Sequence, residues 1–129
     1  MKVFIVEDSV IIRGRIILNL TLMSGVWVCG VSGIATEAIE FIEKEKPDIA
    51  IIDIRIFGGS GLDVLQKAKE ANPSLIAIIL TNYPFPEYRE KCMEFGADFF
   101  FDKSTEFDKA FEVIAKLVSV GGNTKAINM

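Results

Sequence analysis

Five side chains suited to metal and phosphate chemistry are spread over the chain, and each follows a short apolar run. They are Glu7, Asp8, Asp53, Thr81 and Lys103. Carboxylates gathered in one cleft repel one another and raise each other's pKa unless a cation neutralises them. Mg²⁺ meets that need, because it prefers a few hard oxygen ligands and commonly pairs carboxylates with phosphate oxygens. The hydroxyl and the ammonium add contacts for phosphate oxygens. Together these groups suit attack by an aspartate carboxylate on a phosphoryl group.

These side chains meet only if the apolar runs before them are neighbouring strands. Unbroken apolar runs bounded by turn residues predict strands buried on both faces. Such runs cover residues 3–6, 26–31, 49–52, 75–80 and 99–101. Apolar spacing and helix start and stop signals predict the helices. The predicted helices cover residues 10–23, 36–46, 62–71 and 86–95, and a last one runs from Ser104 or Thr105 to Gly121-Gly122.

Strand and helix alternate five times, which predicts an α/β domain with a doubly wound, five-stranded parallel sheet, five helices and right-handed crossovers. In such a sheet the carboxyl ends of the strands meet at one edge, where ligands bind. The five candidate side chains then share one cleft. Taken singly, each has an ordinary explanation, such as a turn residue or a solvated surface charge. Their common placement at strand ends favours a site.

Length and composition bound the class of protein. The chain has 129 residues, 50% of them hydrophobic, which suits one globular domain with a single core. We expect that domain over residues 1–120 and a short tail over residues 121–129. The net charge of −4 and the pI of about 4.9 argue against direct binding of nucleic acid. The absence of histidine excludes His-based triads and His-containing zinc sites.

Cysteine usage and the opening residues bear on location. Cys29 and Cys92 lie apart in the sequence, and we expect both to be reduced packing residues, as in the cytosol. The first apolar run is too short for a signal peptide and is followed by acidic residues. No stretch approaches the length needed to span a bilayer. We therefore expect a cytoplasmic protein that does not associate with membranes.

Several short motifs surround the candidate residues. Glu7-Asp8 follows the first strand, Asp53 has Gly61 eight residues later, Thr81 follows the fourth strand, Gly96-Ala97-Asp98 precedes the fifth, and Phe100 stands three residues before Lys103. This set resembles the receiver domain of two-component response regulators, over about residues 2–120. The resemblance implies a flavodoxin-like receiver fold of the stand-alone, chemotaxis-regulator-like kind.

The resemblance also implies roles at the site. Asp53 would be the phosphoacceptor, taking a phosphoryl group from a sensor histidine kinase or a phosphotransfer protein. Glu7, Asp8 and Asp53 would hold Mg²⁺ together with the main-chain carbonyl of Arg55, and Lys103 would contact the phosphoryl group. The same resemblance implies that the protein is not an enzyme that converts a separate substrate. It is a signalling phosphoacceptor that catalyses only its own phosphorylation and dephosphorylation.

Two further positions are implied to act as a switch. Thr81 would move onto the phosphoryl group and let the aromatic ring of Phe100 turn inward. That change would remodel the face made by the fourth helix, the fifth strand and the fifth helix, where a downstream protein binds. Homodimerisation through the fourth and fifth helices is an open alternative use of that face.

Four positions depart from the family's usual pattern. Phe57 stands where proline is usual and predicts a less restrained loop, and Asn82 replaces a small residue and predicts narrower access to the site. Phe100 replaces the more frequent tyrosine, so an aromatic switch here acts by packing alone. Ser104 replaces the proline that often follows the lysine, and a non-proline cis bond costs about 3 kcal/mol, so we expect a trans peptide after Lys103.

Other classes of protein share parts of this pattern. A haloacid-dehalogenase-like phosphohydrolase has a second aspartate two residues after its nucleophile, where this chain has Arg55. A flavodoxin-like cofactor binder cradles phosphate in its first loop, where Glu7-Asp8 would repel it. A phosphorylation-independent interaction module and the receiver part of a longer DNA-binding regulator stay open. We favour a stand-alone receiver, because no output domain follows the last predicted helix.

Overall fold

Five strands alternate with five helices in the computed structural model, which describes the backbone of residues 1–128 and the side chains of residues 1–120. The strands are β1 (Lys2–Val6), β2 (Trp27–Ser32), β3 (Ile49–Ile52), β4 (Ile76–Thr81) and β5 (Phe99–Asp102). The helices are α1 (Val10–Thr21), α2 (Ala35–Glu45), α3 (Gly61–Ala71), α4 (Pro86–Glu94) and α5 (Phe107–Asn128). A short antiparallel hairpin lies between β3 and α3 and pairs Arg55–Ile56 with Gly59–Ser60. The residue pattern did not predict it.

The five strands form one parallel sheet in the order β2-β1-β3-β4-β5, which confirms the predicted doubly wound architecture. The chain leaves β1 for the edge strand β2 and then crosses back to β3, so the winding direction reverses between β1 and β3. Ligands of open α/β sheets bind outside the carboxyl ends of the strands at such a point. Glu7 and Asp8 follow β1 and Asp53 follows β3, so the topology itself places three carboxylates there.

Helices cover both faces of the sheet, and this explains why β1, β3 and β4 are unbroken apolar runs. On one face, Phe4 and Ile79 belong to the core that α2, α3 and α4 complete. On the other face, Ile5 and Ile78 belong to the core that α1 and α5 complete. Each fully buried side chain of this kind contributes about 1.5–3 kcal/mol. The central strands, whose ends carry Glu7, Asp8, Asp53 and Thr81, are therefore firmly packed on both faces.

The start of α5 differs from its prediction. The helix begins at Phe107, and a turn precedes it instead of a cap at Ser104 or Thr105. The turn forms because the N–H groups of Thr105 and Glu106 both donate to the carbonyl of Asp102, at 3.3 and 2.7 Å. This turn begins at Lys103, which lies at the edge of the sheet directly after β5.

The end of α5 also differs from its prediction. The helix passes Gly121 and Gly122, the expected stop, and its backbone continues to Asn128, because an interior glycine costs a helix only about 1 kcal/mol. Most of the expected tail is thus helical, and Met129 lies outside the described residues. Within the described part of the chain, no helix has both the length and the apolar character required to cross a membrane.

Gly61 is needed eight residues after Asp53 because its backbone lies against the backbone of Asp53 and Ile54. A Cβ atom at Gly61 would lie 1.9 Å from the carbonyl oxygen of Asp53 and 2.8 Å from Cα of Ile54. The N–H of Gly61 donates to the carbonyl of Ile54 at 2.7 Å. The first residue of α3 is therefore held against the strand end that carries Asp53, and a side chain at this position would push the two apart.

We predict that Gly61→Ala lowers the free energy of unfolding by about 3 kcal/mol, because the clash is with rigid backbone. The control is Gly14→Ala on the exposed side of α1, where a Cβ has no atom within 4 Å. That change should raise the free energy of unfolding by about 1 kcal/mol through helix propensity. Urea denaturation of the three proteins measures both effects, and equal stability of Gly61→Ala and wild type would contradict the account.

Both cysteines are free, as predicted, and they differ in burial. Cys92 is fully buried, and burial raises the pKa of its thiol to about 11. Cys29 is half-buried, and burial also raises the pKa of its thiol above the usual value. The thiolate is the reactive form. Folding therefore protects Cys92 from thiol reagents more strongly than it protects Cys29.

At pH 8 a maleimide should label native Cys29 at least about ten times faster than Cys92, with both labelled at similar rates in urea. The Cys29→Ser variant isolates the slow site. Folding raises the pKa of Cys92, so the buried thiol is favoured in its protonated form. Its contribution to the free energy of unfolding is therefore complete below about pH 9 and is lost as pH rises towards 11. Equal native labelling rates would show that α4 does not bury Cys92 in solution.

Candidate functional site

Backbone hydrogen bonds fix the strand ends that carry the acidic residues. The N–H of Glu7 donates to the carbonyl of Ser32 at 3.0 Å, and the N–H of Asp53 donates to the carbonyl of Val6 at 2.9 Å. The carboxylate of Glu7 also accepts a hydrogen bond from the N–H of Ser9 at 3.1 Å. The positions of Glu7 and Asp53 thus follow from the parallel register of β2, β1 and β3.

The structure brings the three predicted metal-ligating carboxylates together. Glu7, Asp8 and Asp53 each offer an oxygen, and these oxygens all lie within 4.8 Å of one another. Glu7 is 2% exposed and Asp53 is 7% exposed, whereas Asp8 is half-buried. Like charges this close and this dry are unfavourable unless a cation offsets them.

Lys103 offsets part of that charge from the end of β5. Its Nζ donates to Glu7 Oε1 at 2.5 Å and to Asp53 Oδ2 at 3.0 Å, and its N–H donates to the carbonyl of Thr81 at 2.7 Å. The side chain is buried along with its partners. Burial alone lowers the pKa of the Lys103 ammonium, but the hydrogen bond and charge of Glu7 and the charge of Asp53 outweigh it, so the pKa is raised. The lysine is held in its charged form by the carboxylates that it joins.

The ammonium of Lys103 does not fully compensate the buried negative charge of Glu7. Burial is the largest cause and raises the pKa of Glu7 above its ordinary value; the hydrogen bond from Lys103 opposes this, and the charge of Asp53 adds to it. One ammonium therefore does not neutralise three neighbouring carboxylates. A further cation would stabilise the cluster.

The residues present fit Mg²⁺. Oδ1 of Asp53 is a buried oxygen with no hydrogen-bond partner among the described residues, although Oδ2 of the same carboxylate is bonded to Lys103. Buried polar atoms in folded proteins are almost always satisfied, so an orphaned carboxylate oxygen beside two other carboxylates points to a ligand. Hard oxygen donors of this kind are those that Mg²⁺ prefers.

Thr81 and Phe100, the predicted switch positions, lie on neighbouring strands and are both buried. The hydroxyl oxygen of Thr81 accepts a hydrogen bond from the N–H of Tyr83 at 3.1 Å. The ring of Phe100 belongs to the core next to α4, and the guanidinium carbon of Arg89 lies 5.1 Å from its centroid. The aromatic ring therefore points inward and is covered by an α4 side chain.

The loop after Asp53 is tied to the start of α2 by two backbone hydrogen bonds of Phe57. The expectation that this loop is less restrained than one with proline remains a prediction. Phe57 has an exposed ring, but its N–H donates to the carbonyl of Gly33 at 3.1 Å and its carbonyl accepts from the N–H of Ala35 at 2.8 Å. A proline at this position has no N–H and could not form the first bond. The aromatic residue thus permits a tie to the start of α2 that the usual proline would exclude.

A hydrogen bond joins the segments that follow β4 and β5, next to the site. Ser104 Oγ donates to Asn82 Oδ1 at 3.3 Å, and both residues are exposed. The peptide between Lys103 and Ser104 is trans, as expected. The expectation that Asn82 narrows access to the site remains a prediction.

Arg55 has a contact that the sequence analysis missed. Its guanidinium carbon lies 3.9 Å from the centroid of the Tyr83 ring, two residues after Thr81. Nothing in the residue spacing signals this contact, because it joins two loops whose distance depends on the sheet order. The role predicted for the Arg55 main-chain carbonyl as a metal ligand remains a prediction.

The fold and its edge cluster define a class of doubly wound α/β domains with an acidic site at the carboxyl edge of the sheet. The family model described as "Response regulator receiver domain" matches residues 3–115. The chain belongs to this family. Receiver domains are signalling phosphoacceptors of two-component systems, and they bind Mg²⁺ at an acidic pocket.

Individual relatives are similar over different shares of their length. Sporulation initiation phosphotransferase F of Bacillus subtilis is 26% identical over 122 residues, 95% of this chain and 97% of that protein. A cyclic di-GMP phosphodiesterase of Thermotoga maritima is 36% identical over 108 residues, which is 84% of this chain and 28% of that enzyme. A CheY-like receiver domain protein of Methanospirillum hungatei has the same fold, with a TM-score of 0.84 at 24% identity over 95% of this chain and 97% of that one. The chain spans about half the length of two related transcriptional regulators.

We predict that Mg²⁺ raises the melting temperature of the wild-type protein, and that the rise continues with the logarithm of the Mg²⁺ concentration once the site is saturated. Asp8→Asn should melt a few degrees higher than wild type without metal, because it relieves repulsion in the cluster, and should lose most of the response to Mg²⁺. Glu40→Gln removes an exposed carboxylate from α2 and serves as the control. A Mg²⁺ response in Asp8→Asn equal to that of wild type would exclude Asp8 as a ligand.

Proposed function

We propose that Asp53 receives a phosphoryl group from the phosphohistidine of a sensor kinase or a phosphotransfer protein, and that phosphorylation changes a partner-binding face. The observation that carries this proposal is the Asp53 carboxylate. Its Oδ2 accepts a hydrogen bond from Lys103, and its Oδ1 is buried without a hydrogen-bond partner among the described residues. A carboxylate with a purely structural role would have both oxygens satisfied. The free oxygen is available to a ligand.

In the proposed transfer, an oxygen of Asp53 forms a bond to phosphorus while the bond from phosphorus to the donor's imidazole nitrogen breaks. The imidazole leaves with the bonding electron pair, and an acyl phosphate forms on Asp53. Nζ of Lys103, already 3.0 Å from Asp53 Oδ2, is placed to offset charge on the phosphoryl oxygens. The hydroxyl of Thr81 supplies another donor when the loop after β4 moves towards the site.

Glu7, Asp8, Asp53 and the main-chain carbonyl of Arg55 are the groups that would hold Mg²⁺. A bound Mg²⁺ supplies positive charge to the phosphoryl oxygens. The need for it follows from the charges present, because three carboxylates within 4.8 Å face the single ammonium of Lys103. A phosphoryl group with further negative charge would be repelled by that cluster alone.

The proposed output is a change on the face formed by α4, β5 and α5. Phe100 lies on β5 and packs in the core next to α4, and Thr81 ends the neighbouring strand β4. A downstream protein that recognises this face would bind differently once Thr81 is drawn to the phosphoryl group. Because Phe100 has no hydroxyl, its part in the change is limited to packing against α4.

An exposed apolar face on α1 supports a protein as the phosphodonor. Val10, Ile11 and Leu18 of α1 and Leu22 directly after it are exposed large hydrophobic residues, with Ile11 77% exposed. The helix starts two residues after Asp8. The helix carries two arginines and no acidic residue, although the chain has a net charge of −4. These features fit an apolar donor surface with acidic flanks, docked beside the acidic site.

The direct test of the reaction is intact mass after incubation with acetyl phosphate. We expect one added phosphoryl group in wild type with Mg²⁺, and none without Mg²⁺ or in Asp53→Asn. Asp108→Asn, which alters an exposed aspartate of α5, is the control and should be phosphorylated like wild type. An adduct of equal yield in Asp53→Asn would contradict the assignment of Asp53.

The donor face on α1 has a separate test. Ile11→Glu should slow transfer from a histidine kinase that phosphorylates the wild type by roughly ten-fold, because it places a charge in an apolar contact. Its reaction with acetyl phosphate, which needs no docking, should be unchanged in rate. Val120→Glu introduces the same charge on exposed α5 and should leave both reactions unaffected. Equal kinase rates for Ile11→Glu and wild type would remove α1 from the donor interface.

A further inference from the structure

The contact between Arg55 and Tyr83 joins the two loops that flank the site. The guanidinium of Arg55 stacks on the ring of Tyr83 with 3.9 Å between its carbon and the ring centroid. Attraction between a cation and an aromatic face favours this arrangement. Arg55 is therefore held by the loop after β4.

Each partner of the stack lies two residues along the chain from a functional residue. Arg55 comes two residues after Asp53 and is fixed by the hairpin pairing with Ser60. Tyr83 comes two residues after Thr81, and its N–H donates to the hydroxyl oxygen of Thr81 at 3.1 Å. The stack thus ties the segment that follows the phosphoacceptor to the segment that follows the switch threonine.

This tie has a direction. The hydrogen bond from the Tyr83 N–H holds the hydroxyl of Thr81 within its own turn. For that hydroxyl to reach a phosphoryl group on Asp53, the turn from Thr81 to Tyr83 must change shape, and the ring of Tyr83 must move relative to Arg55. Breaking the stack is therefore part of the cost of the movement.

We propose that Arg55 and Tyr83 are positioning residues whose stack holds Thr81 away from the phosphoryl position and so weakens binding of the phosphoryl group. This inference rests on the proposed function, since it assigns a regulator to the same site. Neither side chain touches the phosphoryl group, and both act through the loop that carries Thr81. Removal of the stack favours the arrangement in which Thr81 contacts the phosphoryl group.

The test is the affinity of the protein for beryllofluoride, which mimics the phosphoryl group, at saturating Mg²⁺, measured by titration calorimetry. Tyr83→Leu should bind beryllofluoride roughly two- to five-fold more tightly than wild type, the range expected for loss of one exposed cation–aromatic contact. Tyr83→Phe keeps the ring and should bind like wild type. Arg55→Gln combined with Tyr83→Leu should gain no more than Tyr83→Leu alone, because both changes remove one interaction.

The outcomes separate the two proposals. Wild type that does not bind beryllofluoride would overturn the proposed function and this inference with it. Wild type that binds, with the same affinity in Tyr83→Leu, would overturn the inference alone. Urea denaturation of each variant identifies a merely structural effect, since a general loss of stability would weaken binding of beryllofluoride, whereas release of Thr81 strengthens it. Weaker binding by Tyr83→Leu would therefore also overturn the inference.

Discussion

The ammonium of Lys103 lies between the carboxylates of Glu7 and Asp53, at 2.5 and 3.0 Å, and the three side chains come from the ends of three different strands. Removing one partner from such a buried set typically costs about 3–5 kcal/mol, because the charge left behind has no compensation. The interaction forms only while β1, β3 and β5 keep their register. The charge balance of the site and the geometry of the sheet edge are therefore one constraint.

That charge balance is incomplete, and the site can therefore take up a further cation. One ammonium faces three carboxylates, burial raises the pKa of Glu7, and Oδ1 of Asp53 has no partner among the described residues. A fully satisfied network would be more stable, but it would leave no oxygen free for a metal or a phosphoryl group. Proteins commonly keep such local strain at functional sites and offset it elsewhere. Here the apolar central strands supply that stability.

The fold and the acidic site could be predicted because their signals are local. Apolar runs mark the strands, and the charged residues that follow them, such as Asp53 and Lys103, need only the sheet topology to meet. Contacts between loops have no such signal, so the stack of Arg55 on Tyr83 and the bond from Phe57 to Gly33 were missed. The end of α5 was wrong because glycine disfavours a helix without forbidding it.

The most direct test of the central claim is to locate the phosphoryl group itself. Borohydride reduces an aspartyl phosphate to homoserine, which marks the modified residue in a peptide map after treatment with acetyl phosphate and Mg²⁺. We expect homoserine at position 53 and unchanged carboxylates at Glu7 and Asp8. Homoserine at position 8, or a reduced product at any other residue with Asp53 intact, would contradict it.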